Sequence, residues 1–234
     1  MRESGILFPI SSLPSKYGIG CFSKEAYEFV DFLKESGQGY WQILPLGPTG
    51  YGDSPYQALS AFAGNPYFVA PDKLIEEGLL SYDEANSFDF GSNSERVDYG
   101  ALYANRFDLL RIAFNHFLEK EGNLTAAYKD FEKKEAYWLE DYCLFRAIKE
   151  EMNGLSYQEW DDKLRLRNAS ALKKISKELK ETVDFYKFIQ YEFMKQWLAL
   201  RDYANSKNIK IIGDIPFYVA RSARRSIFPI WHNC

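Results

Sequence analysis

Two short apolar runs on either side of one amphipathic period constrain this chain more than any other feature. Residues 5–10, Gly-Ile-Leu-Phe-Pro-Ile, read as a buried strand. Ser11, Ser12, Pro14, Gly18 and Gly20 make a loop, and Ser23 is placed to cap the helix that follows. That helix carries Ala26, Phe29, Val30 and Leu33 on one face and stops at Gly37. Tyr40 to Leu44 give a second strand. Strand, helix and strand joined by short connections form a βαβ unit, and such units are parallel and right-handed. The fold class is therefore α/β.

The remainder of the chain elaborates that unit. From Pro45 to Pro71 the sequence carries Gly47, Pro48, Gly50, Gly52, Pro55, Gly64 and Pro66 with no helical period. A loop of that length in a compact domain is normally functional, and it leaves the C-terminal end of a parallel strand, where α/β folds place ligands. Residues from about 72 to 206 are helical in pattern. A helix near 98–119 carries Leu102, Phe107, Leu110 and Phe114, and one near 136–151 carries Trp138, Tyr142, Phe145 and Ile148. A long one near 181–205 carries Ile189, Phe193, Trp197 and Leu200. These stripes read as core, and the Lys-rich stretch at 173–180 as a solvated face. Lys210 to Gly213 return as a third strand ending in Asp214-Ile215-Pro216.

Composition excludes several classes. With 46% apolar residues the 234-residue chain can bury a core, and a net charge of -4 offers no basic block to neutralise phosphates, so nucleic acid is not an expected partner. Two histidines and three cysteines, at 21, 143 and 234, make neither a zinc site nor a disulfide framework. The apolar runs are too short to span a membrane and the N-terminus lacks a signal-peptide core, so the expected location is cytoplasmic.

The segment Gly50-Tyr51-Gly52-Asp53-Ser54-Pro55-Tyr56-Gln57 sets aromatic rings beside carboxylate, hydroxyl and amide groups. That combination suits sugars, whose C–H faces stack on rings while their hydroxyls need donors and acceptors; a structural Tyr-rich turn is the competing reading. Asp214 at a strand end reads either as active-site material or as a buried carboxylate satisfied by backbone N–H groups. His116 lies in a helical pattern and reads as structural, and His232 lies in the terminal stretch. No Ser-His-Asp constellation, phosphate-binding loop or dinucleotide fingerprint is present.

The stretch Gly5-Ile-Leu-Phe-Pro-Ile-Ser-Ser-Leu-Pro14 with Tyr17-Gly-Ile-Gly20 resembles the opening of the amylomaltases, the 4-α-glucanotransferases of glycoside hydrolase family 77. Trp41-Gln-Ile-Leu-Pro-Leu-Gly-Pro48, Gly50 to Gln57, Ala61-Phe-Ala-Gly-Asn-Pro-Tyr67, Trp138-Leu-Glu-Asp-Tyr142, Trp160 with Leu164 to Arg167, and Gly213 to Pro216 follow in the same order. The resemblance implies the N-terminal part of a TIM (β/α)₈ barrel over residues 1–220, with a large helical insertion over about 72–206. It implies transfer of α-1,4-glucan segments between maltooligosaccharides with no cofactor and no metal. Substrate-binding residues carried over by position are Tyr51, Ser54, Tyr56 and Asp214. Tyr56 is similar to the ring that stacks on the sugar at the reacting subsite, and Asp214 to a supporting carboxylate.

A retaining mechanism needs two carboxyl groups roughly 5 Å apart. The family's Arg-Ile-Asp-His, Glu-Asp-Leu-Gly and Thr-His-Asp-Asn stretches, which supply its catalytic carboxylates, do not occur here. No catalytic residue is therefore expected in this chain. Residues 221–234 depart from the family pattern and are basic. One choice of codons for Arg224 to Pro229, read one base later, gives Asp-Val-Gln-Tyr-Phe, so a frameshift near codon 221 with early termination is the expectation. The chain is then truncated after the third barrel strand, inactive as a transferase, and poorly soluble or only partly ordered alone. A non-catalytic maltooligosaccharide-binding module is the alternative, and a helical interaction protein a third reading.

Overall fold

The computed structural model describes residues 3–219 except Tyr51, Ser92, Ser94 and Phe217, and only the backbone of Tyr218 and Val219. The 221–234 tail, where a departure from the family pattern is expected, lies outside the described residues, as do His232 and Cys234.

Strands β1 (Gly5–Leu7), β2 (Tyr40–Gln42) and β4 (Lys210–Ile212) form a parallel sheet in the order β1-β2-β4. Helix α1 (Lys24–Glu35) connects the first two. Register pairs Ile6 with Trp41 and Trp41 with Ile211, so these three share a face. Trp41 is fully buried there beside Phe29 of α1, and its indole N–H donates to the Phe8 carbonyl at 2.8 Å. On the opposite face Leu7 and Ile212 are 55% and 44% exposed, and Ile215 just beyond is 74% exposed. No strand among the described residues pairs with the outer edge of β1 or β4.

Between β2 and β4 lie β3 (Gln57–Ala58) and helices α2 (Pro71–Glu76), α3 (Tyr82–Asn86), α4 (Tyr99–Glu119), α5 (Ala126–Lys134), α6 (Ala136–Glu151), α7 (Asp162–Arg165), α8 (Ala169–Glu178) and α9 (Lys180–Ser206). β5 (Tyr218–Val219) pairs in parallel with β3. Local chemistry sets the helix starts. Asp98, Thr125 and Asn168 cap α4, α5 and α8 by accepting from backbone N–H groups, and Ser81 with Glu84 forms a capping box on α3. At 27 residues, α9 runs about 40 Å and packs on α1, α4, α6 and the sheet. Its Phe188, Ile189 and Leu200 are fully buried in one continuous core with Leu102, Phe114, Cys143 and Trp41. No helix among the described residues is long and apolar enough to cross a membrane.

Three expectations are corrected. The first strand ends at Leu7, because Pro9 has no N–H to donate and Ile10–Ser12 coil into a 3₁₀ turn. Ladder pairing of the second strand ends at Gln42 rather than Leu44. Ser23 precedes α1 but does not cap it, since its hydroxyl donates to the Glu25 carboxylate. His116 is structural as expected, with Nδ1 3.1 Å from the Leu79 carbonyl.

Candidate functional site: a clasped loop over the strand ends

The segment after β2 folds back on itself. Asn65 donates its N–H to the Leu46 carbonyl at 2.8 Å and Leu59 to that of Pro48 at 2.9 Å, while Thr49 and Ala58 form an antiparallel bridge. Residues 50–57 are therefore the tip of a closed excursion. Two successive turns shape it, with Asp53 N–H donating to Gly50 at 3.1 Å and Gln57 N–H to Ser54 at 3.1 Å. Gly52 and Asp53 both adopt positive φ, 94° and 55°, a conformation that glycine takes freely and aspartate more readily than most residues. The pairing of Gln57 with Tyr218 lays this tip against the chain that follows Asp214.

The base of the excursion is held by helix α9. The buried Gln190 amide accepts from Gly64 N–H at 2.7 Å and donates to Gly64 C=O at 3.0 Å, satisfying both backbone groups of one residue. One turn and a half further, Gln196 accepts from Ala70 N–H at 2.7 Å. Gly64 has no room for a side chain, because a Cβ there would lie 2.1 Å from the Phe193 ring. Arg106 of α4, fully buried, braces the neighbouring loop by donating to the Tyr17 carbonyl at 2.9 Å between the Tyr17 and Phe90 rings. Tyr17 in turn donates its hydroxyl to Asp72 at 2.5 Å.

Two phenols clasp the tip. Tyr56 donates to Asp214 Oδ2 at 2.8 Å across 158 residues of sequence, and the other Asp214 oxygen accepts from Ile215 N–H at 2.8 Å. The carboxylate is thus fixed in orientation, and through it the Tyr56 ring. That hydrogen bond to a carboxylate also holds the Tyr56 phenol above its ordinary pKa, so it remains a neutral donor. On the helical side Tyr103 of α4 donates to Asp53. Its ring lies 6.1 Å from Tyr67 and 6.2 Å from Tyr99, which makes a three-ring wall. Burial, followed by the Asp53 hydrogen bond, pushes the Tyr103 phenol up, and burial does the same to Tyr67 and Tyr99.

Of the four residues singled out in the sequence, Tyr56 and Asp214 are brought into direct contact and Ser54 lies in the same turn, half-buried. Tyr51 lies outside the described residues. The bland alternative for Asp214, a buried carboxylate held by backbone donors, is only half met, because it is partly exposed and takes one backbone donor and one phenol. Tyr103, Gln190 and Gln196 were not found by sequence reasoning, and Asp53 was found only as the carboxylate of the 50–57 segment. Gln190 and Gln196 are polar positions on the largely apolar buried face of α9, a signal that could have found these two. The arrangement presents aromatic faces beside a fixed carboxylate, phenols and a hydroxyl, and among these residues it contains no second carboxylate next to Asp214.

Known proteins resemble this chain in sequence and in fold. Residues 8–225 match the family model described as 4-alpha-glucanotransferase. The chain is 50% identical over 224 residues to a 4-alpha-glucanotransferase of Clostridium butyricum, covering 96% of this chain and 45% of that protein. It is 46% identical over 234 residues to the enzyme of that name from Thermus thermophilus, covering 99% and 46%. Among solved structures it is similar to the amylomaltase from Streptococcus agalactiae in complex with acarbose, with a TM-score of 0.91 and 44% identity over 95% of this chain and 45% of that one. The chain thus spans about half the length of the curated relatives it matches.

Proposed function

The chain belongs to the 4-alpha-glucanotransferase family, and on that premise we propose that its clasped loop is one wall of an α-1,4-glucan site. In the full-length enzymes of this family the activity is transfer of glucan segments between maltooligosaccharides by a retaining mechanism. The three parallel strands then form the first part of a (β/α)₈ barrel, and α2 to α9 its insertion. Tyr56 presents its ring to a glucosyl unit, Asp214 holds that ring in register, and Ser54 contributes a hydroxyl along the glucan path. Tyr51 is proposed for a more remote contact from its sequence position alone.

The observation that carries this reading is the Tyr56–Asp214 hydrogen bond, which ties the 50–57 loop to a strand end. A retaining transfer requires a nucleophile and an acid/base carboxyl roughly 5 Å apart. No such pair is proposed from Asp53 and Asp214, since the first faces Tyr103 and the second Tyr56. The 234-residue chain is accordingly proposed to bind maltooligosaccharides without turning them over. Isothermal titration with maltoheptaose, together with an assay of glucose release from maltotriose, tests both halves. Saturable binding that is lost in Tyr56→Ala, with no glucose released, is expected. Glucose release overturns the non-catalytic half, and unchanged affinity in Tyr56→Ala overturns the placement of the site.

A further inference from the structure

Behind the clasped loop, on the side of helices α4 and α6, lies a cleft of about 410 Å³. Its walls are the Pro48–Gly50 turn, the Tyr67, Tyr103 and Phe107 rings, and the basic pair Arg146 and Lys149 from α6. No Asp or Glu lines it. This sets it apart from the cleft beside α5 and α8, where Lys187 is paired with Glu132 at 3.2 Å and Glu140 at 2.5 Å.

Both cations are held in place before any ligand arrives. The Arg146 guanidinium lies 4.9 Å from the Tyr186 ring centroid and 5.7 Å from that of Phe107, and one of its N–H groups reaches the Tyr186 hydroxyl at 3.4 Å. Lys149 donates to the carbonyls of Gly154 at 2.5 Å and Leu155 at 3.1 Å. Among the described residues neither cation has a carboxylate within ion-pair distance, whereas Arg111, Arg165, Arg167 and Lys195 all do. Burial, and after it the neighbouring Arg146, push the Lys149 ammonium below its ordinary value against the pull of Glu159, and the Tyr186 hydroxyl beside Arg146 donates onward to Glu150 at 2.7 Å.

We infer that this cleft binds a hexose monophosphate, with the phosphate on Arg146 and Lys149 and the sugar ring against Tyr67, Tyr103 and Phe107. The chemistry follows from the lining. Arg146 offers a planar fork of donors and Lys149 a point charge one helical turn away, which suits an anion that spreads its charge over three oxygens. A free anion needs no aromatic walls; a sugar face does. The volume falls within the range for a small ligand. The cleft shares the Tyr67 and Tyr103 rings with the wall beside the loop, but its anion anchors, Arg146 and Lys149, take no part in either clasp.

Calorimetric titration of the 234-residue chain with glucose 6-phosphate, inorganic phosphate and glucose separates the possibilities. Saturable binding of glucose 6-phosphate is expected, tighter than phosphate and much tighter than glucose, and weakening as salt is raised. Arg146→Met keeps the aliphatic packing and is expected to lower the affinity about tenfold or more, the usual scale for a lost charge-assisted hydrogen bond. Lys149→Gln retains donors for the Gly154 and Leu155 carbonyls and is expected to lower it severalfold, so the test survives if the arginine variant does not fold. The site is refuted if glucose 6-phosphate does not bind, or if it binds equally to wild type and Lys149→Gln. Phosphate binding as tightly as glucose 6-phosphate overturns the sugar half of the assignment.

Discussion

Replacing Gln190 by Met isolates what holds the loop base. The two side chains are close in volume, so packing within α9 changes little, but the two hydrogen bonds to Gly64 at 2.7 and 3.0 Å are lost. Gln190 is 2% exposed, and its neighbour Phe193 covers Gly64 closely, which leaves the orphaned N–H and C=O without water. At about 1–3 kcal/mol for each of the two unsatisfied buried groups, the expected loss is roughly 2–6 kcal/mol. For a chain of this size that is a fall in Tm of roughly 4–24 °C. Urea unfolding should show a lower midpoint with an unchanged slope. Gln190→Glu refines the test. A carboxylate can accept from Gly64 N–H but opposes Gly64 C=O, whereas the protonated acid can donate to it. Burial therefore raises the folded-state pKa, and the stability given by the protonated form is present at low pH and lost as pH rises through that value. A loss below about 0.5 kcal/mol in Gln190→Met, or a Gln190→Glu chain that gains stability with rising pH, refutes the reasoning, since Gly64 then has other partners.

Glu192 supplies a second pH test. It is buried, and burial reinforced by Glu77 pushes its carboxyl from 4.5 up to about 7, against the pull of Lys195. The folded chain then binds the proton more tightly than the unfolded one, so stability falls from pH 4.5 to about pH 7 by at most about 3 kcal/mol. Glu192→Gln should flatten that slope in urea midpoints measured from pH 4.5 to 8, and parallel curves for the two proteins count against it. Gly64→Ala sets a methyl 2.1 Å from the Phe193 ring and should cost about 1–3 kcal/mol by thermal unfolding. Tyr103→Phe releases Asp53 from α4 at a half-exposed position, so Tm should hold while maltoheptaose affinity drops severalfold. Asp53→Asn, which keeps an acceptor, should stay close to wild type; equal affinity in Tyr103→Phe and wild type removes the clasp from the site.

How much was legible in the sequence follows the range of the interaction. The Leu102, Phe107, Leu110 and Phe114 stripe places α4 within a residue of its observed start, because a 3.6-residue period is a local signal. Trp138, Tyr142, Phe145 and Ile148 are buried as their spacing predicts. The β3–β5 pair was not legible, since two residues on each side carry no periodicity. Nor was the bond between Gln190 and Gly64, whose partners stand 126 residues apart. Ser23 shows the opposite failure, a good capping residue diverted by a carboxylate two positions on. Within the site, the rings and the carboxylate were found by type, while the groups that hold them still were found only by geometry.

The distance along the chain between Tyr56 and Asp214 has a kinetic side. The hydrogen bond joins residues 158 positions apart, and the helices between them begin and end at its two flanks. Loop-closure entropy grows with length, so the contact becomes affordable only after α4, α6 and α9 have collapsed the intervening chain. Native helix content should return first on refolding and glucan affinity last, with the clasp as the latest contact to form. A ligand that grips Tyr56 then acts on the final step of assembly: it slows reopening of the tip while leaving the early collapse at its own speed.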